Sequence, residues 1–193
     1  MGQNTLYKLE EQHSKNYLSN LLSDNPLPSS FMAIKYYCGY RYREVNQLLR
    51  FGRTNEGLAR LSELIISYLD REFKNCTASD NIVVVRWVDK KKFIQANTNL
   101  SNGTKIFDLA YISTSLHLGY CSDLENQPRN INNELLLIIK IPKGSSCLYL
   151  NHVSGREFEQ EILLDRGSTL IVNEVFKVMF STSVILCSLT RKK

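Results

Sequence analysis

The chain of 193 residues contains five cysteines, four prolines, three histidines and one tryptophan, and each scarcity removes a class of protein. Cys38, Cys76, Cys121, Cys147 and Cys187 are odd in number, widely spaced and form no CxxC pair, so neither a disulfide framework nor a zinc site is expected. Buried free thiols are the simpler expectation. His13, His117 and His152 are scattered along the chain, and no metal is expected. No window approaches ~18 consecutive apolar residues, the length a membrane-spanning helix needs. The stretch MGQNTLYKLEEQHSK lacks the apolar run of a classical signal peptide, and it does not fit an acylation signal. The net charge of +5 comes partly from the lysines at 90–92 and the RKK at 191–193, which read as a solvated turn and a tail. Aromatics do not interleave with a basic stripe, so nucleic acid is not an expected partner.

What is present is a foldable composition, 43% apolar and 22% charged, of a size for one domain over residues 1–193. Residues 1–80 read as helical. Leu58, Leu61, Leu64, Ile65, Tyr68 and Leu69 recur at three and four, one face of a helix over 56–70. A similar period runs over 9–24. A further helix restarts after Ser29 and Ser30, and another ends at Gly52 as at a helix C-cap. Residues 81–193 read as β, with runs at 82–88, 108–115, 134–142, 146–150, 158–164, 169–178 and 183–189. Helices segregated from strands predict an α+β fold with a mixed, mostly antiparallel β core.

Three stretches carry candidate chemistry. In SGREFEQEILLDRGS, 154–168, Glu157, Glu159 and Glu161 alternate and would share one face of a strand, spaced roughly 6.5–7 Å at ~3.3 Å per residue. Taken alone, such a pattern is better explained by a charged edge strand that guards against aggregation. In IVVVRWVD, Arg86 stands among valines, where a guanidinium needs an anionic partner such as a phosphate. In YISTSLHLGY, Ser113, Thr114 and Ser115 end an apolar strand, placed to cap a turn or to bond a carboxylate.

In this order, an arginine strand, an aromatic-x-Ser-Thr-Ser strand, a Lys-Gly turn and an ExE leading into ILLDRGS, the chain resembles the Arg-Ser-Glu class of mono-ADP-ribosyltransferases found among bacterial toxins and effectors. The resemblance extends through 138–172 and to 33–52. It implies the two-sheet core of that class behind an N-terminal helical segment, NAD as the substrate, and no metal. It implies that Arg86 holds the NAD phosphates, that Ser113 orients the catalytic Glu161, and that Glu159 handles the acceptor. Thr114 and Ser115 would finish the strand lining the nicotinamide pocket, and Arg129, in the turn-rich 116–133, would give a second phosphate contact. Many binary toxins carry a second basic residue where Trp87 stands; this tryptophan would either stack on nicotinamide or only pack. Glu157 matches no role and is read as solvated.

Two carboxylates suit the reaction. Cleaving the nicotinamide–ribose bond leaves an oxocarbenium-like sugar, which one fixed carboxylate stabilises while another takes the acceptor's proton. In the class the chain resembles, Glu rather than Gln at the position of Glu159 goes with arginine as acceptor, so the resemblance implies arginine first and hydroxyl side chains next. By resemblance the partner is a host protein such as actin, a small GTPase or ubiquitin, met through 150–158 with Tyr149 or Phe158 as aromatic contacts. The enzyme would be a monomer, secreted or injected by a specialised route and active in the host cytosol. Two readings compete: an NAD glycohydrolase with water as acceptor, and an inactive interaction module on the same fold. The intact set Arg86, Ser113, Glu159 and Glu161 disfavours the second.

Overall fold

The computed structural model describes residues 30–54, 56–97, 100–117, 133–150, 160–177 and 183–190. The helix expected over 9–24 lies outside the described residues. Helix α1 (Ser30–Tyr36) runs through a π-helical turn (Tyr37–Arg41) directly into α2 (Tyr42–Phe51), so the helices expected on either side of residue 40 are one interrupted run. It stops at Gly52, whose φ of 65° lets its N–H reach Leu48 O at 2.8 Å. Helix α3 (Glu56–Asn75) outlasts the apolar pattern of 56–70 by a turn and more, because Phe73 continues the buried stripe of Ile65 and Leu69.

The strands are β1 (Ile82–Asp89), β2 (Lys105–Asp108), β3 (Ile112–Ser115), β4 (Glu134–Ile141), β5 (Cys147–Tyr149), β6 (Glu161–Leu164), β7 (Ser168–Lys177) and β8 (Ser183–Leu189). Local hydrogen bonding alters two of the expected segments. The lysine run at 90–92 forms a short helix, α4 (Lys90–Ala96), because Asp89 Oδ1 caps it by accepting from Lys92 N at 2.8 Å. The strand expected over 108–115 is two, because the Asp108 carboxylate accepts Ala110 N–H at 2.9 Å and turns the chain.

The sheet order is β2-β7-β8-β4-β1-β3-β6-β5, antiparallel throughout except for parallel β4 and β8. Strands β1 and β3 share a single residue pair, Val85 with Ser115. That seam divides the sheet into a five-stranded part, β2-β7-β8-β4-β1, and a three-stranded part, β3-β6-β5. Their facing sides enclose the larger core, with Val84, Ile139, Val172 and Ile185 from the first and Ile162 and Leu164 from the second. The other side of the three-stranded part packs Leu148, Leu150, Leu163 and Tyr111 against Ile34, Ile65 and Leu69 of the helices. The three short strands are therefore covered on both faces except at Ser113, which stays exposed. Each large apolar side chain so removed from water contributes about 1.5–3 kcal/mol.

Candidate active site

The register of β3 on β6 pairs Ser115 with Glu161 and Ser113 with Leu163. Alternation then puts Ser113, Ser115 and Glu161 on the helix-facing side, together with Leu163, while Thr114 and Ile162 face the larger core. Ser113 Oγ donates to Glu161 Oε1 at 2.5 Å, the short distance of a hydroxyl bonded to a carboxylate. Glu161 keeps only 9% of its surface exposed, so this bond fixes one of its oxygens in a largely desolvated place. Arg86 lies across the seam on β1, and its Nη1 donates to Ser113 O at 2.5 Å. That contact uses one of the five N–H donors of the guanidinium. Three residues from three strands, 27 and 48 positions apart in sequence, thus meet at the seam.

A fourth residue belongs beside them. Tyr37 opens the π-helical turn and is buried. Burial pushes its phenol well above the ordinary range, a hydrogen bond with Asn46 opposes that, the negative charge of Glu161 adds to it, and Arg86 draws it back. Tyr37 therefore lies within electrostatic reach of both catalytic candidates and stays a neutral hydroxyl. Its oxygen is 3.3 Å from Asn46 Nδ2. At 3.6 residues per turn, two residues nine apart stand about 180° around a regular helix. The wider π turn between them removes part of that offset, and such turns favour functional sites. No period in the sequence signals an insertion of this kind, which is why Tyr37 and Asn46 escape a sequence reading.

Of the other expected site residues, Ser115 pairs with Glu161 on the same face, while Thr114 turns to the larger core. Thr114 is 1% exposed and donates from Oγ1 to Ile162 O at 2.6 Å, stitching β3 to β6 on the side away from Ser113. Ser115 Oγ accepts His117 N–H at 2.8 Å and donates to His117 O at 3.0 Å, which ends the strand. Trp87 pairs with Leu136 on the face of β1 that carries Val83 and Val85, opposite the face of Val84 and Arg86. Val85, on the same face as Trp87, pairs with Ser115, so Trp87 shares the sheet face of Ser115 and Glu161. Tyr149, expected as an aromatic contact, is 4% exposed and belongs to the larger core, because β5 is buried on both sides. Glu157, Phe158, Glu159 and Arg129 lie outside the described residues. Among the described residues, the strand expected over 158–164 starts at Glu161, after Gln160 at φ 45°. A non-glycine residue in that conformation costs of order 1–3 kcal/mol and is characteristic of functional segments. Among the described residues no group of three or more His, Cys, Asp or Glu could hold a metal ion, and no helix is long and apolar enough to cross a membrane.

Helices against one side of a split, mixed sheet, with an arginine and a serine-held glutamate at the seam, describe the class of enzymes that transfer ADP-ribose from NAD. The family model described as ADP-ribosyltransferase exoenzyme matches residues 8–187, and the chain belongs to that family, whose members use NAD as substrate. Solved structures similar to it include the C3 exoenzyme of Clostridium limosum, 21% identical with a TM-score of 0.68 over 96% of this chain and 95% of that one. Plx2a, an ADP-ribosyltransferase toxin from Paenibacillus larvae, is 19% identical with a TM-score of 0.66, covering 96% of each chain. C3stau2 from S. aureus, whose structure holds NAD, is 17% identical with a TM-score of 0.69 over 97% and 96%. Among curated protein sequences nothing matches.

Proposed function

We propose that this chain is a mono-ADP-ribosyltransferase that moves ADP-ribose from NAD to a side chain of a host protein, arginine first among acceptors. The observation that carries the reading is the Ser113–Glu161 hydrogen bond at 2.5 Å with Arg86 bonded to the same serine's carbonyl. A protein with no reaction to run has little reason to hold a nearly buried carboxylate and an arginine against one strand end.

In the proposed reaction Arg86 binds the NAD phosphates, and Ser113 holds Glu161 so that its second oxygen faces the nicotinamide ribose. The bond from C1′ to the pyridine nitrogen breaks, its electron pair leaving with neutral nicotinamide. The sugar becomes an oxocarbenium-like cation, which the fixed carboxylate stabilises more than it stabilises the ground state. The acceptor nitrogen attacks C1′ and gives its proton to Glu159, the general base in this reading. Arg129 is proposed as the second phosphate contact. Thr114 and Ser115 support the site through β3 rather than by touching substrate. The proposed setting is a bacterial toxin or effector delivered to a host cell, in keeping with the exoenzyme family to which the chain belongs.

Purified chain incubated with labelled NAD and a eukaryotic lysate, beside Glu161→Ala, tests this. The expected result is label on a discrete protein band that disappears with Glu161→Ala, with mass spectrometry naming the modified side chain. Free ADP-ribose without labelled protein would instead make water the acceptor. No turnover in either form would overturn the enzymatic reading.

A further inference from the structure

Behind the site, on the far side of Tyr37, the Asp70 carboxylate of α3 takes three hydrogen bonds. Arg166 donates from Nε to Oδ1 at 2.8 Å and from Nη2 to Oδ2 at 2.7 Å, and Tyr111 OH donates to Oδ1 at 2.8 Å. The donors stand at meaningful points of the chain. Tyr111 is the residue before β3 and lies two before Ser113; Arg166 follows β6, the strand that Glu161 opens. One carboxylate on one helix thus holds the entry of the serine strand and the exit of the glutamate strand.

The tyrosine is itself tightly seated. It is 1% exposed, its ring stacks on Phe73 at 5.4 Å and 9°, and it meets Tyr37 edge-on at 5.6 Å and 84°. Ile66, Asp70 and Phe73, which share one face of α3 by their spacing of four and three, all contribute to this seat: Ile66 O lies 3.4 Å from the phenol oxygen. Tyr37 in turn senses the charges of Glu161 and Arg86. Contact is therefore continuous from Asp70 through Tyr111 to Tyr37, whose phenol lies within electrostatic reach of Glu161 and Arg86. The ring pairs are of the geometries that contribute ~0.5–1.5 kcal/mol beyond area.

We propose that Asp70 is a positioning residue for ADP-ribosyl transfer, aligning Ser113 and Glu161 by bracing the two strands that carry them against α3. This rests on the reaction assigned above. An exposed surface ion pair contributes ~0–1 kcal/mol to stability, and the Arg166 side chain is 43% exposed, so holding the fold together is not what the Asp70–Arg166 pair does best. Alignment is different, since a misplacement of about 1 Å can reduce a rate ~100-fold.

The test compares wild type, Asp70→Asn, Tyr111→Phe and Ile106→Ala by kcat and KM for NAD, with melting temperature measured on each. Ile106 is a buried residue of β2 in the larger core, paired with β7, and it takes no part in the Asp70 hydrogen bonds, so its truncation costs stability and leaves them in place. Asp70→Asn is expected to lower kcat at least ~10-fold with KM within about twofold, and Tyr111→Phe, which keeps the ring, to lower it less. Ile106→Ala is expected to melt earlier with kcat unchanged. Wild-type turnover together with unchanged kcat in folded Asp70→Asn and Tyr111→Phe overturns the inference alone. A kcat that falls equally in Ile106→Ala also overturns it, by making the effect general softening. Absence of NAD turnover in wild type instead removes the reaction on which it rests.

Discussion

The two parts of the sheet differ in how they use their faces. In the five-stranded part, β4 and β7 are long, and one side makes the larger core while the other leaves Val83 and Phe107 largely exposed. The three-stranded part has strands of four, four and three residues, covered on both sides apart from the exposed Ser113. The long strands provide bulk stability; the short ones, clamped between two cores, hold a serine and a glutamate in one geometry. Preorganised groups of this kind act on a developing charge without reorganising. Precision at this site comes from burial on two sides rather than from strand length.

Substitutions can break that division. Glu161→Gln should have the largest effect, lowering NAD turnover by about 100–1,000-fold, the magnitude of losing one preorganised electrostatic group. Its melting temperature should stay close to wild type; a large drop would make Glu161 part of the stability of the three-stranded part instead. Next, Leu163→Ala and Ile139→Ala should each cost about 2–5 kcal/mol in urea unfolding, since both side chains are fully buried. Activity per folded molecule should fall only for Leu163→Ala, which lies beside Glu161 on the same face of β6. Equal activity losses would erase the distinction between the two parts.

A smaller effect concerns protons. Burial, with some help from Cys76, pushes the Cys147 thiol of β5 up to about 12, and burial pushes Cys187 of β8 to about 11, both from 9.0. A raised folded-state value means that the folded chain holds the proton more tightly than the unfolded one. This stabilising contribution is complete below pH 9 and is lost as pH rises from 9 toward 11 for Cys187 and 12 for Cys147. Stability measured from pH 8 to 11 should therefore decline, and Cys147→Val should decline less steeply. At pH 8 neither thiol should react with a maleimide in the folded chain. Smallest of all, Trp87→Phe should leave the KM for NAD within about twofold, because the substitution keeps an aromatic ring at that position of β1.

Sequence reading does well wherever one physical rule dominates. The apolar period of Leu58 to Leu69, the stop at Gly52 and the β-branched runs of β1, β4 and β8 all follow local rules, and the ADP-ribosyltransferase resemblance rests on Arg86, Ser113 and Glu161 in the correct order. It does less well where a single side chain redirects the backbone, as Asp89 does in starting α4 and Asp108 in ending β2. Trp87 and Thr114 illustrate a third limit: adjacency in a motif says nothing about which face a side chain takes until strand register is known. Tyr37 and Asp70 were hidden for another reason, since their roles come from packing between helix and sheet and leave no spacing to detect.

The order of strands has a consequence for how the candidate site comes into being. Ser113 and Glu161 lie 48 residues apart, Asp70 and Arg166 lie 96 apart, and β4 waits for β8 to pair beside it in parallel. Closing such long segments before contacts repay the lost entropy slows folding, and chains dominated by distant pairings typically take milliseconds to seconds. No partial chain that stops before β6 has a site at all. The candidate site is complete only once β6 has paired with β3, so a fragment released by proteolysis ahead of Glu161 is expected to be inert rather than weakly active.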